Sequence, residues 1–90
     1  MKLMEVRVEE DKWCCGSMHC EVDGTDVTQD CIAANEEEGW AELYEMQSNG
    51  RPVLTENRQP KIKRLFGKVV LTLRDNASEE ARREFELRRQ

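Results

Sequence analysis

Hydrophobic and polar residues alternate along most of the first 75 positions, with the period of two that a strand with one buried face requires. Clusters of turn residues divide this alternation into separate segments. The pattern predicts about five strands, at residues 2–9, 13–22, 25–35, 40–47 and 61–73. The third segment is interrupted around residues 28–30, and the last has a predicted kink at Gly67.

The alternation also assigns side chains to the two faces of each predicted strand. In the first segment the buried face consists of the even positions Met4, Val6 and Val8. In the second segment the inward set is Cys14, Met18, Cys20 and Val22. In the fourth segment Ala41 and Leu43 share one side, and the opposite side carries Trp40, Glu42, Tyr44 and Met46.

Local signals mark a turn and a helix. Asp23-Gly24 lies between alternating residues, which predicts a two-residue primed turn because both positions tolerate positive φ. Asn76 and Glu79 form an N-cap pair, and residues 77–90 are rich in helix-forming residues. We expect this helix to dock through Phe85 or to project from the body.

These elements predict an α+β fold that is mainly β, with an antiparallel sheet of about five strands and one C-terminal α-helix. A chain of 90 residues makes one domain. We assign residues 1–75 to the antiparallel β domain and residues 76–90 to a C-terminal helix of the same domain. A domain of this size has one thin core, so its stability is expected to be modest.

Charge is divided unevenly along the chain. Residues 1–50 contain 13 of the 19 acidic residues and three basic residues, which gives −10, whereas residues 51–90 contain six acidic and 11 basic residues, which gives +5. The protein is therefore acidic overall, with a net charge of −5. A chain of this kind can pair with itself or can present opposite poles to a partner.

The sequence carries no signal for export or for a membrane span. The first ten residues lack an apolar core segment, and no stretch approaches the roughly 20 apolar residues of a spanning helix. We therefore expect a cytoplasmic location and no membrane partner. In the cytoplasm the four cysteines would be reduced thiols.

One cluster has the residue types of a metal site, namely Cys14, Cys15, His19, Cys20 and Cys31. It lacks the C-x2-C spacing of zinc knuckles, and a strand at residues 13–22 would direct its members to opposite faces. Packing as small buried side chains is the favoured interpretation. A small metal-binding module that uses Cys14, Cys15, His19 and Cys20 is the alternative.

A basic stretch at residues 58–74 contains no acidic residue; its cations are Arg58, Lys61, Lys63, Arg64, Lys68 and Arg74. Cross-strand charge pairing with the acidic segment 36–46 is the favoured interpretation. Contact with nucleic acid through this stretch is an alternative that the net negative charge disfavours. A protein partner, including head-to-tail self-association, remains open.

No catalytic or cofactor-binding residue emerges from the sequence, and no glycine-rich phosphate loop is present. Glu36-Glu37-Glu38 is predicted to be a solvated turn. We therefore expect no enzymatic activity and no cofactor, and the sequence does not identify partner-binding residues.

Residues 22–71 resemble small, mostly uncharacterised proteins of tailed phages and prophages. The resemblance is carried by a hairpin at Val22–Thr28, a strand entry at Glu37–Trp40, an excursion at Asn49–Pro52 and a final strand at Gly67–Val69. It implies a small β-rich accessory or structural protein and supplies no catalytic residues. The resulting prediction is a non-enzymatic phage or prophage protein that acts through protein–protein contacts, as a virion accessory or on a host target.

Overall fold

The computed structural model describes residues 2–14 and 16–90. Within this part of the chain, seven strands, a short 3-10 helix at Lys12–Cys14 and an α-helix follow one another. The strands and the α-helix are β1 Glu5–Arg7, β2 Met18–Val22, β3 Thr25–Asp26, β4 Cys31–Asn35, β5 Trp40–Tyr44, β6 Ile62–Phe66, β7 Val69–Leu73 and α1 Glu79–Arg89. The predicted class, mainly β and antiparallel with a C-terminal helix, is confirmed.

The strands form two sheets rather than the single sheet expected. Their orders are β1-β4-β5-β6 and β3-β2-β7, and every pairing is antiparallel. The predicted strand 25–35 is divided into β3 and β4, and the predicted strand 61–73 into β6 and β7. The interruption at residues 28–30 and the kink at Gly67 are therefore two places where the chain crosses between sheets, and it also crosses between β1 and β2.

The predicted strand 13–22 is correct only in its second half. Backbone hydrogen bonds from Cys14 to the Asp11 carbonyl and from Ser17 to the Cys14 carbonyl turn the chain before β2 begins. Gly16 lies in this turn with a φ of 75°. The assignment of faces nevertheless holds, because all four residues of the inward set are buried: Cys14, Met18, Cys20 and Val22.

The core lies between the inner faces of the two sheets. At its centre Ala34 of β4 is paired with Ala41 of β5, and both are fully buried. Their small side chains give room to larger residues of the other sheet, such as Leu71 of β7. Ala41 and Leu43 face this core, so the predicted division of the β5 side chains is confirmed.

The turn between β2 and β3 has the predicted conformation. Asp23 and Gly24 have φ values of 51° and 82°, as a primed two-residue turn requires. The Asp23 carboxylate also accepts the backbone N–H of Lys68 at 2.8 Å. The turn is thereby attached to the segment that carries the chain into β7.

Helix α1 begins two residues later than expected. Its N-cap is Ser78, whose hydroxyl accepts the backbone N–H of Ala81 at 3.1 Å, and Asn76 lies outside the helix. Ala81 is fully buried and Phe85 packs against the core. The helix therefore docks on the sheets rather than projecting from them.

The last residue of α1 joins several distant segments through a buried ion pair. Arg89 forms a bidentate pair with Glu36, and the two side chains are only 10% and 5% exposed. Arg89 also donates to the backbone oxygens of Leu71, at 2.7 Å, and Lys2, at 3.0 Å. The Glu36 carboxylate accepts the N–H of Leu71 at 2.9 Å and of Met4 at 3.1 Å. Glu36 is thus not the solvated turn residue expected.

Arg88, the residue before Arg89, makes a second set of contacts that hold α1 against β1. Arg88 pairs with Asp11 at 2.5 Å, donates to the Glu5 carbonyl at 3.2 Å and lies over the Trp13 ring at 5.4 Å. The other Asp11 oxygen accepts the backbone N–H of Arg7 at 3.0 Å. These contacts occupy outward-facing backbone groups of β1, while Arg89 and Glu36 do the same at Leu71 of β7.

The Glu36 carboxylate is a predicted source of acid sensitivity. Burial alone would raise its pKa, but the hydrogen bonds from Arg89, Leu71 and Met4 outweigh burial and hold the pKa below its ordinary value. The resulting stabilisation is present above the pKa of the unfolded chain and is lost as the pH falls through the lower, folded pKa.

We expect Glu36→Gln to lower the free energy of unfolding by about 3–5 kcal/mol at pH 7, because it leaves Arg89 buried without its counter-ion. Urea denaturation at pH 7 and at successively lower pH measures this, and the difference from the parent protein should shrink as the pH falls. Glu37→Gln is the matched control, since Glu37 is exposed, and should change stability by less than about 0.5 kcal/mol. Equal stabilities of the two variants would contradict the assignment.

Gly39 is a second predicted point of sensitivity, because its turn lies against the crossing at Gly67. Gly39 has a φ of 74°, and a Cβ there would lie 2.7 Å from the Gly67 carbonyl oxygen. Gly50→Ala is the control, with a φ of 82° and no neighbour within 4 Å. We expect the control to lose about 1–2 kcal/mol from its backbone conformation alone. Gly39→Ala should lose a further 1–3 kcal/mol or so from the clash, measured by urea denaturation.

Candidate functional site

Strand β6 is the free edge of the four-stranded sheet. The hydrogen bonds from Glu45 to the Lys61 carbonyl, at 2.8 Å, and from Gly67 to the Gly39 carbonyl, at 3.0 Å, bracket its pairing with β5. In an antiparallel ladder these bonds recur at alternate residues. The intervening residues therefore direct their backbone N–H and C=O groups away from β5, and these residues are Ile62, Arg64 and Phe66.

Among residues 2–14 and 16–90, no group accepts from or donates to those outward backbone atoms. The long edges elsewhere are different. At β1 the Glu5 carbonyl and both backbone groups of Arg7 have partners, and at β7 both backbone groups of Leu71 do. Strand β3 is an edge of only two residues. Among the described residues, β6 is thus the long edge at which none of the outward backbone groups has a partner, whereas the other two long edges are occupied at Glu5, Arg7 and Leu71.

All five residues of β6 are exposed, although three of them are large and apolar. Phe66 is 70% exposed, Ile62 49% and Leu65 36%. Leu54, in the segment that leads to β6, is 53% exposed. Single exposed apolar residues are ordinary on protein surfaces, but three on one edge strand indicate an interaction surface.

The outer face beside β6 is rigidly organised around Trp40. The guanidinium groups of Arg7 and Arg64 lie over the Trp40 ring, at 5.5 Å and 4.2 Å from its centroid. Both arginines pair with Glu42, at 3.1 and 3.2 Å, and the indole N–H donates to Glu38 at 2.8 Å. Trp40 is therefore only 5% exposed although it faces away from the core. Trp40, Arg7, Arg64, Glu42 and Glu38 thus form an organised surface beside the open edge, which we call the Trp40 platform.

The predicted pairing of the basic stretch with the acidic segment is confirmed. Arg64 pairs with Glu42 at 3.2 Å, and Lys61 pairs with Glu45 at 3.4 Å. Lys63, on the opposite face of β6 from Arg64, forms no ion pair with any described residue. Neighbouring cations of β6 thus lie on opposite faces of the sheet.

The connection from β5 to β6 is a folded arm, residues 45–61, rather than an irregular loop. Glu45, Val53 and Lys61 are joined in a closed ring of three backbone hydrogen bonds, each 2.8 Å long. Two further bridges pair Met46 with Pro52 and Leu54 with Pro60. This arm fixes the chain immediately before β6, and so it fixes the start of the open edge.

The cysteines do not assemble with His19. Cys14 and Cys20 are buried in the core, whereas His19 points to the other face of β2 and lies 3.3 Å from the Thr28 hydroxyl and 3.4 Å from Glu21. In residues 2–14 and 16–90, no group of three or more potential ligands could hold a metal ion. Cys15, one of the candidate ligands, lies outside the described residues.

Two cysteines are brought together in a way that the sequence did not predict. Cys20 of β2 and Cys31 of β4 interact across the sheets and both line a groove of about 750 Å³, and the Cys31 thiol also donates to the Ala33 carbonyl at 3.3 Å. The contact with Cys31, together with burial, raises the pKa of the Cys20 thiol. The hydrogen bond from Cys20 lowers the pKa of Cys31 despite its burial. Cys31 therefore loses its proton first.

We predict that Cys31 is alkylated faster than Cys20 by iodoacetamide at neutral pH, by roughly tenfold or more, because the thiolate is the nucleophile. Fragment mass spectrometry after timed quenching assigns the modified cysteine. Replacing the donor in Cys20→Ala should slow the alkylation of Cys31, whereas Cys14→Ala, a change at another groove residue, should leave it unaltered. Faster modification of Cys20 in the parent protein would contradict the assigned direction of the hydrogen bond.

Comparison with protein-family models, with curated proteins and with solved structures finds no match in any of the three. The resemblance to phage and prophage proteins stays a prediction from the sequence motifs. The part of the chain that the structure describes has no helix with the length and hydropathy of a membrane span.

Sequence reasoning did not identify the β6 edge. The sequence feature that points to this edge is the acid-free stretch 58–74. It contains the predicted strand 61–73, and the charge pattern predicts only that this strand pairs with the acidic segment 36–46. Which strand lies at an edge depends on sheet order, and sheet order is fixed by contacts distant in sequence.

Proposed function

We propose that this protein is a non-enzymatic binding protein that pairs with an extended segment of another protein along the free edge of β6. The observation that carries the proposal is the combination of unpaired outward backbone groups and exposed Ile62 and Phe66 on one strand. Addition of a strand to an open edge is a common mode of peptide recognition. In that mode main-chain hydrogen bonds supply affinity and alternate side chains supply specificity.

The expected contacts can supply enough free energy for a partner strand to bind. A partner strand can form hydrogen bonds with six backbone groups, those of Ile62, Arg64 and Phe66, each worth about 0.5–1.5 kcal/mol net. Covering an exposed Phe side chain adds roughly 1.5–3 kcal/mol. After the cost of ordering the partner segment, micromolar affinity is the expected range. The fixed arm and the Trp40 platform reduce the ordering cost on this side of the interface.

The protein is further proposed to be encoded by a phage or prophage and to act in the virion or on a host protein. This rests on the hairpin, strand-entry and excursion motifs within residues 22–71. Placement of its gene among head or tail genes would support a virion role, and placement among early genes would support a host target. A location remote from any phage genes would count against both.

An unbiased selection tests the β6 proposal. Random decapeptides displayed on their messenger RNA are selected against the parent protein, and enriched peptides are measured by fluorescence anisotropy. We expect Ile62→Pro to weaken their binding at least tenfold, because proline removes an outward N–H and no bond to β5. Ile62→Val, which keeps that N–H, should bind as the parent does.

Circular dichroism confirms that each variant is folded before binding is compared. Selection that yields no binding peptide, or peptides that bind Ile62→Pro and the parent equally, would contradict the proposal.

A further inference from the structure

We propose that the segment bound at β6 is an acidic strand with a defined order of side chains. The partner residues that lie opposite positions 66, 65, 64, 63, 62 and 61 of this chain are, in that order, apolar, apolar, acidic, acidic, apolar and acidic. An antiparallel partner presents this order from its N-terminus to its C-terminus, and a parallel partner presents the reverse. The inference rests on the proposed function and specifies the partner that the edge selects.

The order follows first from the register of β5 and β6. Ile62, Arg64 and Phe66 are paired with Tyr44, Glu42 and Trp40 and lie with them on the outer face. Lys63 and Leu65 are paired with Leu43 and Ala41 and lie on the inner face. A strand added beside β6 continues both faces, because side chains directly opposite each other point the same way.

On the outer face the partner needs apolar residues at two positions and an acid between them. Phe66 and Ile62 are 70% and 49% exposed, and a directly opposite apolar side chain would cover each of them. Between them, the Arg64 side chain is 41% exposed while it pairs with Glu42. A guanidinium has five N–H donors, so Arg64 can also donate hydrogen bonds to a second carboxylate, on the new strand.

On the inner face the partner needs one apolar residue and two acids. Leu65 is 36% exposed and would be covered by an apolar side chain. Lys63 has no ion-pair partner among the described residues, so an acid opposite it would meet an uncompensated charge. Lys61 pairs with Glu45 at 3.4 Å, and its side chain is still 57% exposed.

A second copy of this chain fits the edge poorly. Symmetric pairing of two β6 strands about their midpoint would place Arg64 opposite Arg64, and like charges directly opposite each other are destabilising. The other long edges of a second copy offer fewer free groups, because the Glu5 and Arg7 backbone groups of β1 and those of Leu71 in β7 already have partners. The proposal therefore takes the partner strand from a different protein.

Lysines on an edge strand also protect a protein against aggregation, and this explains part of the pattern. Protection alone accounts for Lys61 and Lys63. It does not account for an exposed Phe66 beside an exposed Leu65, since large apolar residues make an edge more adhesive. The cations disfavour pairing with a second copy, whereas burial of the apolar residues would stabilise a complex with a complementary strand. Together they indicate selective pairing.

The test uses two labelled peptides of identical composition, each flanked by Gly-Ser. The probe contains Val-Ile-Glu-Glu-Val-Glu, and the control contains Glu-Glu-Val-Ile-Glu-Val, which inverts the apolar or acidic character at all six positions. We expect the parent protein to bind the probe at least tenfold more tightly in fluorescence anisotropy. The difference should shrink in 0.5 M salt, since added salt screens exposed charge pairs.

Charge reversal assigns the register. Lys63→Glu should weaken binding of the probe about fivefold or more, and a probe with Lys at its fourth position should restore it, because that position lies opposite residue 63 in the antiparallel register. If the partner strand is parallel, the reversed probe sequence should bind and the compensating Lys moves to its third position. Arg58→Glu is the matched control, with the same change of charge outside β6, and should alter affinity less than twofold.

The outcomes separate this inference from the proposed function. The acidic order is overturned if probe and control bind equally, or if the compensating Lys fails to restore binding in both orientations. In either case the β6 edge remains a docking site if Ile62→Pro still abolishes binding of the selected peptides. Probe binding that Ile62→Pro leaves intact overturns both. Sedimentation showing a dimer that Ile62→Pro dissociates would identify a second copy as the occupant and overturn the inference.

Discussion

The buried pair between Glu36 and Arg89 is the contact on which the arrangement of the two sheets depends. It is the point at which the N-terminal segment, the turn after β4, strand β7 and the end of α1 meet. A buried carboxylate and guanidinium are tolerated because nearly every donor and acceptor is satisfied; the Arg89 Nε is the atom left without a partner in the described chain. Replacing both members of such a pair by apolar residues is often neutral for stability, whereas removing one member leaves a buried charge uncompensated. With Arg88 on Asp11, it occupies outward backbone groups at Leu71 of β7 and at Glu5 and Arg7 of β1.

The alternation of residues predicted the faces of the strands well, because burial on one side imposes a period of two whatever the sheet order. It could not reveal that the chain changes sheets at Gly67. Leu65 and Leu71 keep the same parity across that crossing, so two short strands and one kinked strand give the same pattern. At that crossing the Gly67 carbonyl oxygen lies only 2.7 Å from the position that a Cβ on Gly39 would take. No local pattern encodes an approach between residues so far apart.

The role of Glu36 was equally hidden. It belongs to a run of three glutamates, and its neighbour Glu37 is exposed as a turn residue should be. Only the partner Arg89, 53 positions away, distinguishes the two. The same holds for the thiol pair, since Cys20 and Cys31 lie on strands of different sheets. Chemistry of this kind depends on long-range contacts, and propensity and spacing carry no information about them.

The uneven distribution of charge acquires a physical explanation in the folded chain. Four ion pairs join an acid of the first 50 residues to a base of the remainder: Asp11 with Arg88, Glu36 with Arg89, Glu42 with Arg64 and Glu45 with Lys61. Opposite charge in the two halves is therefore used first within the molecule, to hold the later segments against the earlier ones. Self-association is not needed to explain it. Lys63, by contrast, forms no ion pair with any described residue and lies on the edge whose outward backbone groups also lack partners, and the proposed docking at β6 rests on this coincidence.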